Sequence, residues 1–278
     1  MSASVVTFCN LKGGVGKSSA CYHLGGTLAH RGRRVLLVDV DPQASLTQGF
    51  LGPDVVRALP AHETIAGLFG DGLPPALSEL VRTTGYAGLD IIPGSPHLAR
   101  CNVPEPWLAP VDSQRALVEV LADARDAFDY VLIDSPPTLS LCSWSALTAS
   151  DHLVVPLQAE DFGSQGIASI LDFVDAVQSG PNPGLNLVGY LLTMFNPRLG
   201  IHKAYESMLR QLYGSTVFAT TIPIGTDFKE AVAVRKPIVA HKPRGASAKS
   251  IAALADEIDA RIACTVQGDN FLTPSEAA

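Results

Sequence analysis

The chain has 278 residues, 47% of them hydrophobic and 17% charged, with a formal net charge of −7. That supplies one large α/β core or at most two small ones; no apolar run reaches the length of a membrane span, and the opening MSASVVTFC lacks the basic flank and long apolar stretch of a signal peptide. Five cysteines (Cys9, Cys21, Cys101, Cys142 and Cys264) form no C-x-x-C pair, so neither a disulfide framework nor a zinc site is indicated and a cytoplasmic location is expected.

In chain order, short apolar runs at residues 5–9, 35–38, 89–92, 130–133, 152–157 and 187–195 read as strands, because they lack the period-two alternation of a half-exposed sheet. Helical spacing fills the gaps between them. Residues 18–32 (SSACYHLGGTLAHRG) follow the first strand, and in residues 163–180 Ile167, Ile170, Leu171, Val174 and Val177 share one face before Gly180-Pro181 stops the helix. Alternating strands and helices predict an α/β fold: a doubly wound, mostly parallel sheet with helices on both faces. Pro-rich stretches at 73–75 and 93–110 read as surface loops inside one domain of residues 1–267, followed by a flexible tail at 268–278. The first strand begins almost at the start of the chain, so an N-terminal helix-turn-helix extension is not expected.

Between the first strand and its helix stands CNLKGGVGKSS, residues 9–19. It nearly matches the phosphate-loop pattern G-x-x-x-x-G-K-[ST], with Leu11 where the first glycine belongs and an additional lysine at Lys12. Gly13, Gly14 and Gly16, with Val15 between them, let successive backbone N–H groups turn inward around phosphate oxygens. The helix N-terminus at Ser18 and Ser19 adds partial positive charge. Lys17 is placed to reach the β- and γ-phosphates and the Ser18 hydroxyl to ligate Mg²⁺. Further on, Asp39 ends the second strand and Asp41 follows it in D-V-D-P-Q, while Asp134 ends the fourth run before S-P-P. In an open parallel sheet those strand ends form the ligand crevice, which sets all three carboxylates beside the phosphate loop.

The segment K-G-G-V-G-K-S-S resembles the deviant phosphate loop (deviant Walker A) of the ParA/MinD superfamily of ATPases, and D-V-D-P-Q and I-D-S-P-P follow in the order and spacing of that family. The resemblance implies a P-loop ATPase using ATP and Mg²⁺, in which Lys12 reaches across an ATP-dependent homodimer to the partner's triphosphate as a third catalytic group beside Lys17 and Asp41. It implies that Asp41 orients or activates the attacking water, that Asp134 holds the metal directly or through water, and that Asp39 supports the metal shell or the loop. In LLTMFNPR and TTIPIGTDFKEA it implies that Asn196 bonds the base and that Pro223 packs on it. No N-K-x-D guanine signature is present, which favours adenine.

Charge is uneven. Residues 198–250 hold nine Lys/Arg against three acids, a net +6, which leaves −13 for the remainder. Either this is a solvated basic surface or it faces a polyanion. The family resemblance implies nonspecific double-stranded DNA, bound by the ATP dimer on the nucleoid, with Arg198, Lys203, Lys229, Arg235, Lys236, Lys242 and Arg244 as candidates and Lys249 close by. Ile224 and Asp227 stand where relatives of this kind carry arginines. It also implies plasmid, chromosome or protein cargo and a cargo-associated, ParB-like activating protein. Two alternatives remain. A membrane-cycling regulator of the MinD type would need a basic amphipathic C-terminal helix, whereas residues 250–264 set Asp256, Glu257 and Asp259 against Arg261 beside an apolar stripe of Ile251, Leu254, Ile258 and Ile262. No membrane partner is expected. An iron–sulfur redox ATPase would need cysteine ligands, for which Cys101 and Cys142 are the pair to consider; small buried hydrophobes are the simpler reading.

Overall fold

The computed structural model describes residues 2–70, 72–159 and 164–266, with the backbone alone for 164–166 and 265–266. The expected tail at 268–278 lies outside the described residues. Seven strands, β1 (Ser4–Phe8), β2 (Val35–Asp39), β3 (Arg82–Tyr86), β4 (Leu89–Ile92), β5 (Tyr130–Asp134), β6 (His152–Gln158) and β7 (Asn186–Thr193), form one sheet in the order β3-β4-β2-β5-β1-β6-β7. Every pairing is parallel except that of β3 with β4.

Successive strand residues point to opposite faces, and both faces are covered. Val6, Phe8, Leu37 and Leu132 pack with the helix Lys17–His30 and the long last helix Ala246–Val266, whereas Val5, Leu36, Val38, Val131 and Ile133 pack with the helix Ala116–Ala127. A strand sandwiched in this way needs no polar side, which is why the interior strands read as unbroken apolar runs. A third apolar cluster gathers β6, β7 and the helices Leu141–Ala149, Ser164–Gln178 and Gly200–Tyr213.

The six predicted runs correspond to six of these strands. The seventh, β3, carries Arg82-Thr83-Thr84-Gly85-Tyr86, of which Thr84 alone is buried. As an edge strand it pairs on one side and carries no apolar face, so hydrophobic pattern has nothing to report there. The segment 93–110 also departs from expectation. Its second half is surface, with Leu108 72% exposed, but Ser95, Leu98 and Cys101 are buried, and the short 3₁₀ helix Pro96–Cys101 plugs the cluster beneath β2 and β4.

The last helix starts earlier and ends later than the predicted 250–264. Its stripe of Ile251, Leu254, Ile258 and Ile262 is buried in the core. Its acidic face is held within the chain: Asp256 pairs with Arg31 at 2.8 Å, Glu257 with Arg261 at 2.9 Å, and Asp259 accepts a hydrogen bond from the Tyr130 hydroxyl. The apolar face that a membrane-surface helix would need is therefore spent on the core. Among the described residues no helix is long and apolar enough to cross a membrane. Cys101 and Cys142 are 3% and 1% exposed, so neither thiol is presented to a second subunit as a bridging cluster would require.

Candidate nucleotide site

From β1 the chain runs toward β2 on one side of the sheet, and later toward β6 and β7 on the other, so the carboxyl end of β1 is the point where strand order reverses. Register sets Phe8 and Asp39 level with Asp134, one on each neighbouring strand. The loop that leaves β1 thus emerges beside the Asp134 carboxylate, with Asp39 one strand further on the same side.

Within that loop Gly14 and Gly16 have φ of 79° and 84°, in the left-handed region where a side chain is strained. Gly16 precedes the helix Lys17–His30, whose first turn has neither a side-chain cap nor an acidic residue, so its N–H groups and positive end face the loop uncompensated. Leu11, in place of the missing glycine, packs into the cluster of β6 and β7 and anchors the loop from below. Buried Asn10 braces it further: its Nδ2 donates to the Pro156 carbonyl and its Oδ1 accepts from the Lys12 N–H at 2.9 Å. From the other side Thr193, at the end of β7, donates its hydroxyl to the Val15 carbonyl at 2.8 Å.

The two lysines are used differently. Lys17 is 6% exposed, and its ammonium donates to the carbonyls of Asn10 and Lys12 at 3.0 Å each. Burial pushes its pKa down, while Asp134 and then Asp41 pull it back up. Lys12 is exposed on the rim.

The three aspartates also divide. Asp39 is fully buried; its Oδ2 accepts from the Thr47 N–H (2.9 Å) and hydroxyl (2.7 Å) and its Oδ1 from the Asp41 N–H (3.2 Å). Thr47 in turn accepts from the Gly94 N–H at 2.8 Å, and a Cβ at Gly94 would sit 2.7 Å from the Asp39 carboxyl carbon, so only glycine lets that strand end approach. Both Asp39 oxygens accept hydrogen bonds from the loop that follows β2. Burial raises its pKa to about 7. Asp41 is 8% exposed and lines the phosphate cavity, with one oxygen accepting from the Gln43 N–H at 2.8 Å; burial raises its pKa. Asp134 is fully buried, and neither of its oxygens accepts a well-formed hydrogen bond, although the Ser18 hydroxyl lies beside it. Burial, then Asp39, drive its pKa well up. An orphaned buried carboxylate next to a serine hydroxyl and two further acids is a donor set that a divalent cation fits.

Two adjoining cavities share Gly16 and Ser19. One, of about 320 Å³, is lined by Gly13, Gly14, Lys17, Ser18, Asp41 and Pro137 among others. The second, of about 580 Å³, is mostly apolar; Ala20, Met194, Ile222, Pro223, Phe228 and Val232 contribute to its walls. The polar cavity fits a phosphate chain and the apolar one a base. Pro223 stands in the second wall as expected. Asn196 does not: its Oδ1 accepts from the Arg198 N–H at 3.0 Å and closes a turn instead. Met194, two residues earlier, takes that place with φ of 50°. Sequence reasoning missed Asn10, Thr193, Met194 and Phe228. Only Asn10, adjoining the motif, carried any local signal.

The basic candidates differ in their surroundings. Lys242 pairs with Asp227 and with Glu230 at 2.8 Å, which cancels its charge locally. The Arg235 guanidinium lies against Gly52, and Lys229 lines the apolar cavity. Arg198, Lys203, Lys236, Arg244 and Lys249 are exposed.

Residues 3–187 match the family model described as an AAA domain. The chain is 36% identical over 257 residues to the chromosome-partitioning ATPase Soj of Thermus thermophilus, covering 92% of this chain and 96% of that protein. It is 33% identical to the sporulation initiation inhibitor protein Soj of Bacillus subtilis, covering 92% and 98%. Among solved structures it resembles cobyrinic acid a,c-diamide synthase from Mycobacterium smegmatis with bound ADP and magnesium, at TM-score 0.75 and 28% identity over 99% of this chain and all of that one.

Proposed function

Since the chain belongs to the Soj/ParA family of partitioning ATPases, we propose that it hydrolyses ATP as a dimer switch, in which Lys12 of one subunit completes the phosphate site of the other. The observation that carries this reading is the split between the two lysines: Lys17 is buried on backbone carbonyls, while Lys12, five residues away, is exposed at the rim. The loop thus carries one buried and one exposed cation, and the exposed one stands on the surface a second subunit would meet.

ATP binds with its triphosphate on the loop N–H groups and Lys17, and with its base between Pro223, Met194 and Phe228. Ser18 and Asp134 would hold Mg²⁺, which would supply positive charge against the phosphate oxygens. Asp41, fixed by the Gln43 N–H, orients the attacking water. Lys12 of the partner subunit meets the charge that develops on the transferred phosphoryl group. Arginine fingers in that role contribute about 10³–10⁵ in rate, and a lysine, lacking the fork, belongs near the lower end.

The ATP dimer binds nonspecific duplex DNA through Arg198, Lys203, Lys236, Arg244 and Lys249, doubled by symmetry, in the cytoplasm on the nucleoid. A cargo-associated, ParB-like protein stimulates hydrolysis, and the cycle positions a plasmid, chromosome or protein cargo. Lys12→Ala should retain nucleotide binding while losing ATP-dependent dimers and about 10³-fold in stimulated turnover, measured by light scattering and phosphate release. A Lys12→Ala protein that hydrolyses normally would refute the exchange of lysines. Affinity of the ATP dimer for duplex DNA should fall about 10³-fold between 50 and 200 mM salt if six or more phosphates are neutralised; a flat response removes DNA from the reading and leaves the ATPase intact.

A further inference from the structure

Part of the base cavity is made where two loops meet. Strand β7 ends at Thr193, and the next residue, Met194, lines the cavity at φ of 50°, in the left-handed region that methionine rarely adopts. The segment 222–224 lines it as well. Phe195 joins the two loops. Its N–H donates to the Ile222 carbonyl at 2.9 Å, its carbonyl accepts from the Ile224 N–H at 3.3 Å, and it pairs with Pro223 as an isolated bridge. A residue at an unfavourable φ persists only where its surroundings fix the chain on both sides. Before Met194 that fixing comes from the sheet. After it, a side chain from the next helix takes part.

That side chain is His202. It belongs to the helix Gly200–Tyr213, whose buried residues His202, Tyr205 and Leu209 recur at the spacing of one helical face. Its Nδ1 accepts from the Asn196 N–H at 3.0 Å, and its ring centre lies 5.7 Å from that of Phe195. The Asn196 side chain turns away, its Oδ1 accepting from the Arg198 N–H. His202 thus holds both residues that follow Met194, Phe195 by ring contact and Asn196 by a hydrogen bond. A leucine here would pack equally well and offer the Asn196 N–H no acceptor.

We propose that His202 is a positioning residue for the nucleotide base: by holding Phe195 and Asn196 it keeps Met194 and Pro223 where the base cavity needs them. The inference rests on the ATP site described above and extends it to a side chain that stands outside the cavity wall. The phosphate cavity draws no wall from residues 194–196 or 222–224. Loss of the acceptor should therefore weaken ligands that carry a base and spare those that carry phosphates alone. A contribution made equally to substrate and transition state alters KM and leaves kcat in place.

The test uses the full chain with Mg²⁺. Calorimetry measures binding of adenylyl imidodiphosphate, an ATP analogue, and of inorganic tripolyphosphate, beside steady-state ATPase kinetics. His202→Phe keeps a ring against Phe195 and removes the acceptor. Its Kd for the analogue and its KM for ATP should both rise about tenfold, with kcat and tripolyphosphate binding as in the parent. His202→Asn removes the ring and keeps an acceptor near the place of Nδ1, so it should recover most of the lost affinity. His202→Leu replaces the phenylalanine variant if that protein does not fold. Unchanged analogue affinity in a folded variant without the acceptor would overturn the inference. An equal loss in His202→Asn would do the same, as would a loss shared by tripolyphosphate, which marks general loosening of the fold. A parent protein that binds neither probe would overturn the ATP site and this inference together, so failure of the site is told apart from failure of His202.

Discussion

The phosphate cavity and the base cavity share two residues, Gly16 and Ser19, and are built on opposite plans. The first recognises charge with backbone N–H groups, one ammonium and the Asp41 and Asp134 carboxylates, drawn from the runs 13–19, 41–45 and 134–137. The second recognises a flat apolar shape with side chains that come from residues as far apart as Ala20 and Ile251. Backbone recognition requires consecutive residues, because neighbouring N–H groups must converge on one oxygen. Shape recognition requires only that side chains meet. The division between chemistry and grip follows: substitutions in the first cavity should change turnover, and those in the second should change affinity.

The largest expected effect is at Asp41. Asp41→Asn keeps an oxygen for the Gln43 N–H and removes only the negative charge, so the turn survives. Hydrolysis should fall about 10²–10⁴-fold with nucleotide affinity nearly unchanged and an ATP-bound form accumulating, read by single-turnover phosphate release. Equal losses in affinity and turnover would show that Asp41 shapes the pocket and does not serve the chemistry.

Thr193 belongs to both cavities in effect, since it lines the second and its hydroxyl clamps the phosphate loop through Val15. Thr193→Val preserves shape and leaves the Val15 and Leu157 carbonyls without that donor, at about 1–3 kcal/mol. Turnover and KM should therefore deteriorate together. Ala233→Trp is the contrasting case: it inserts bulk into the apolar cavity and should raise KM for ATP about tenfold, or about 1.4 kcal/mol, with kcat held. Inhibition by inorganic tripolyphosphate, which has no base, should stay as in the parent protein. Weakened tripolyphosphate inhibition would mean that the cavities are one mechanical unit.

That difference in plan also decides what could be read from the residues alone. Gly13 to Ser19, Asp41 and Asp134 were legible because strand, loop and carboxylate recur at fixed local spacing. Asp39 was legible as a residue with two open roles, metal shell or loop, but its place at a strand end says nothing of its partner Thr47, eight residues on, whose N–H and hydroxyl occupy its Oδ2. Asn196 lies outside the apolar wall, which Met194 joins with positive φ, and a methionine gives no warning of that conformation. The strand β3 escaped for the reason edge strands do, having no apolar face to display. The basic run was visible as composition, but only packing shows that Lys242 is neutralised by Asp227 and Glu230.

Acid should pull the two cavities in opposite directions. On the phosphate side, burial raises Asp39 from 3.8 unfolded to about 7 folded. A raised carboxylate contributes stability that is present below the unfolded pKa and lost as pH rises through the folded one, so acidification from pH 7 toward 4 relieves this side. Behind the base cavity stands His23, fully buried against Phe228 at 5.0 Å between ring centres. Its Nδ1 accepts from the Ile238 N–H at 3.1 Å, its Nε2 has no partner, and burial lowers its pKa from 6.5 to about 3. A depressed histidine contributes stability that is complete above 6.5 and lost as pH falls toward 3, at about 1.4 kcal/mol per pH unit for the one proton. The windows overlap between about 4 and 6.5, where the terms offset each other. His23→Asn retains an acceptor for Ile238 and removes the titration, so urea midpoints of this variant should rise more between pH 7 and 5 than those of the parent. Parallel curves for the two proteins would show that the base-cavity wall carries no such proton debt.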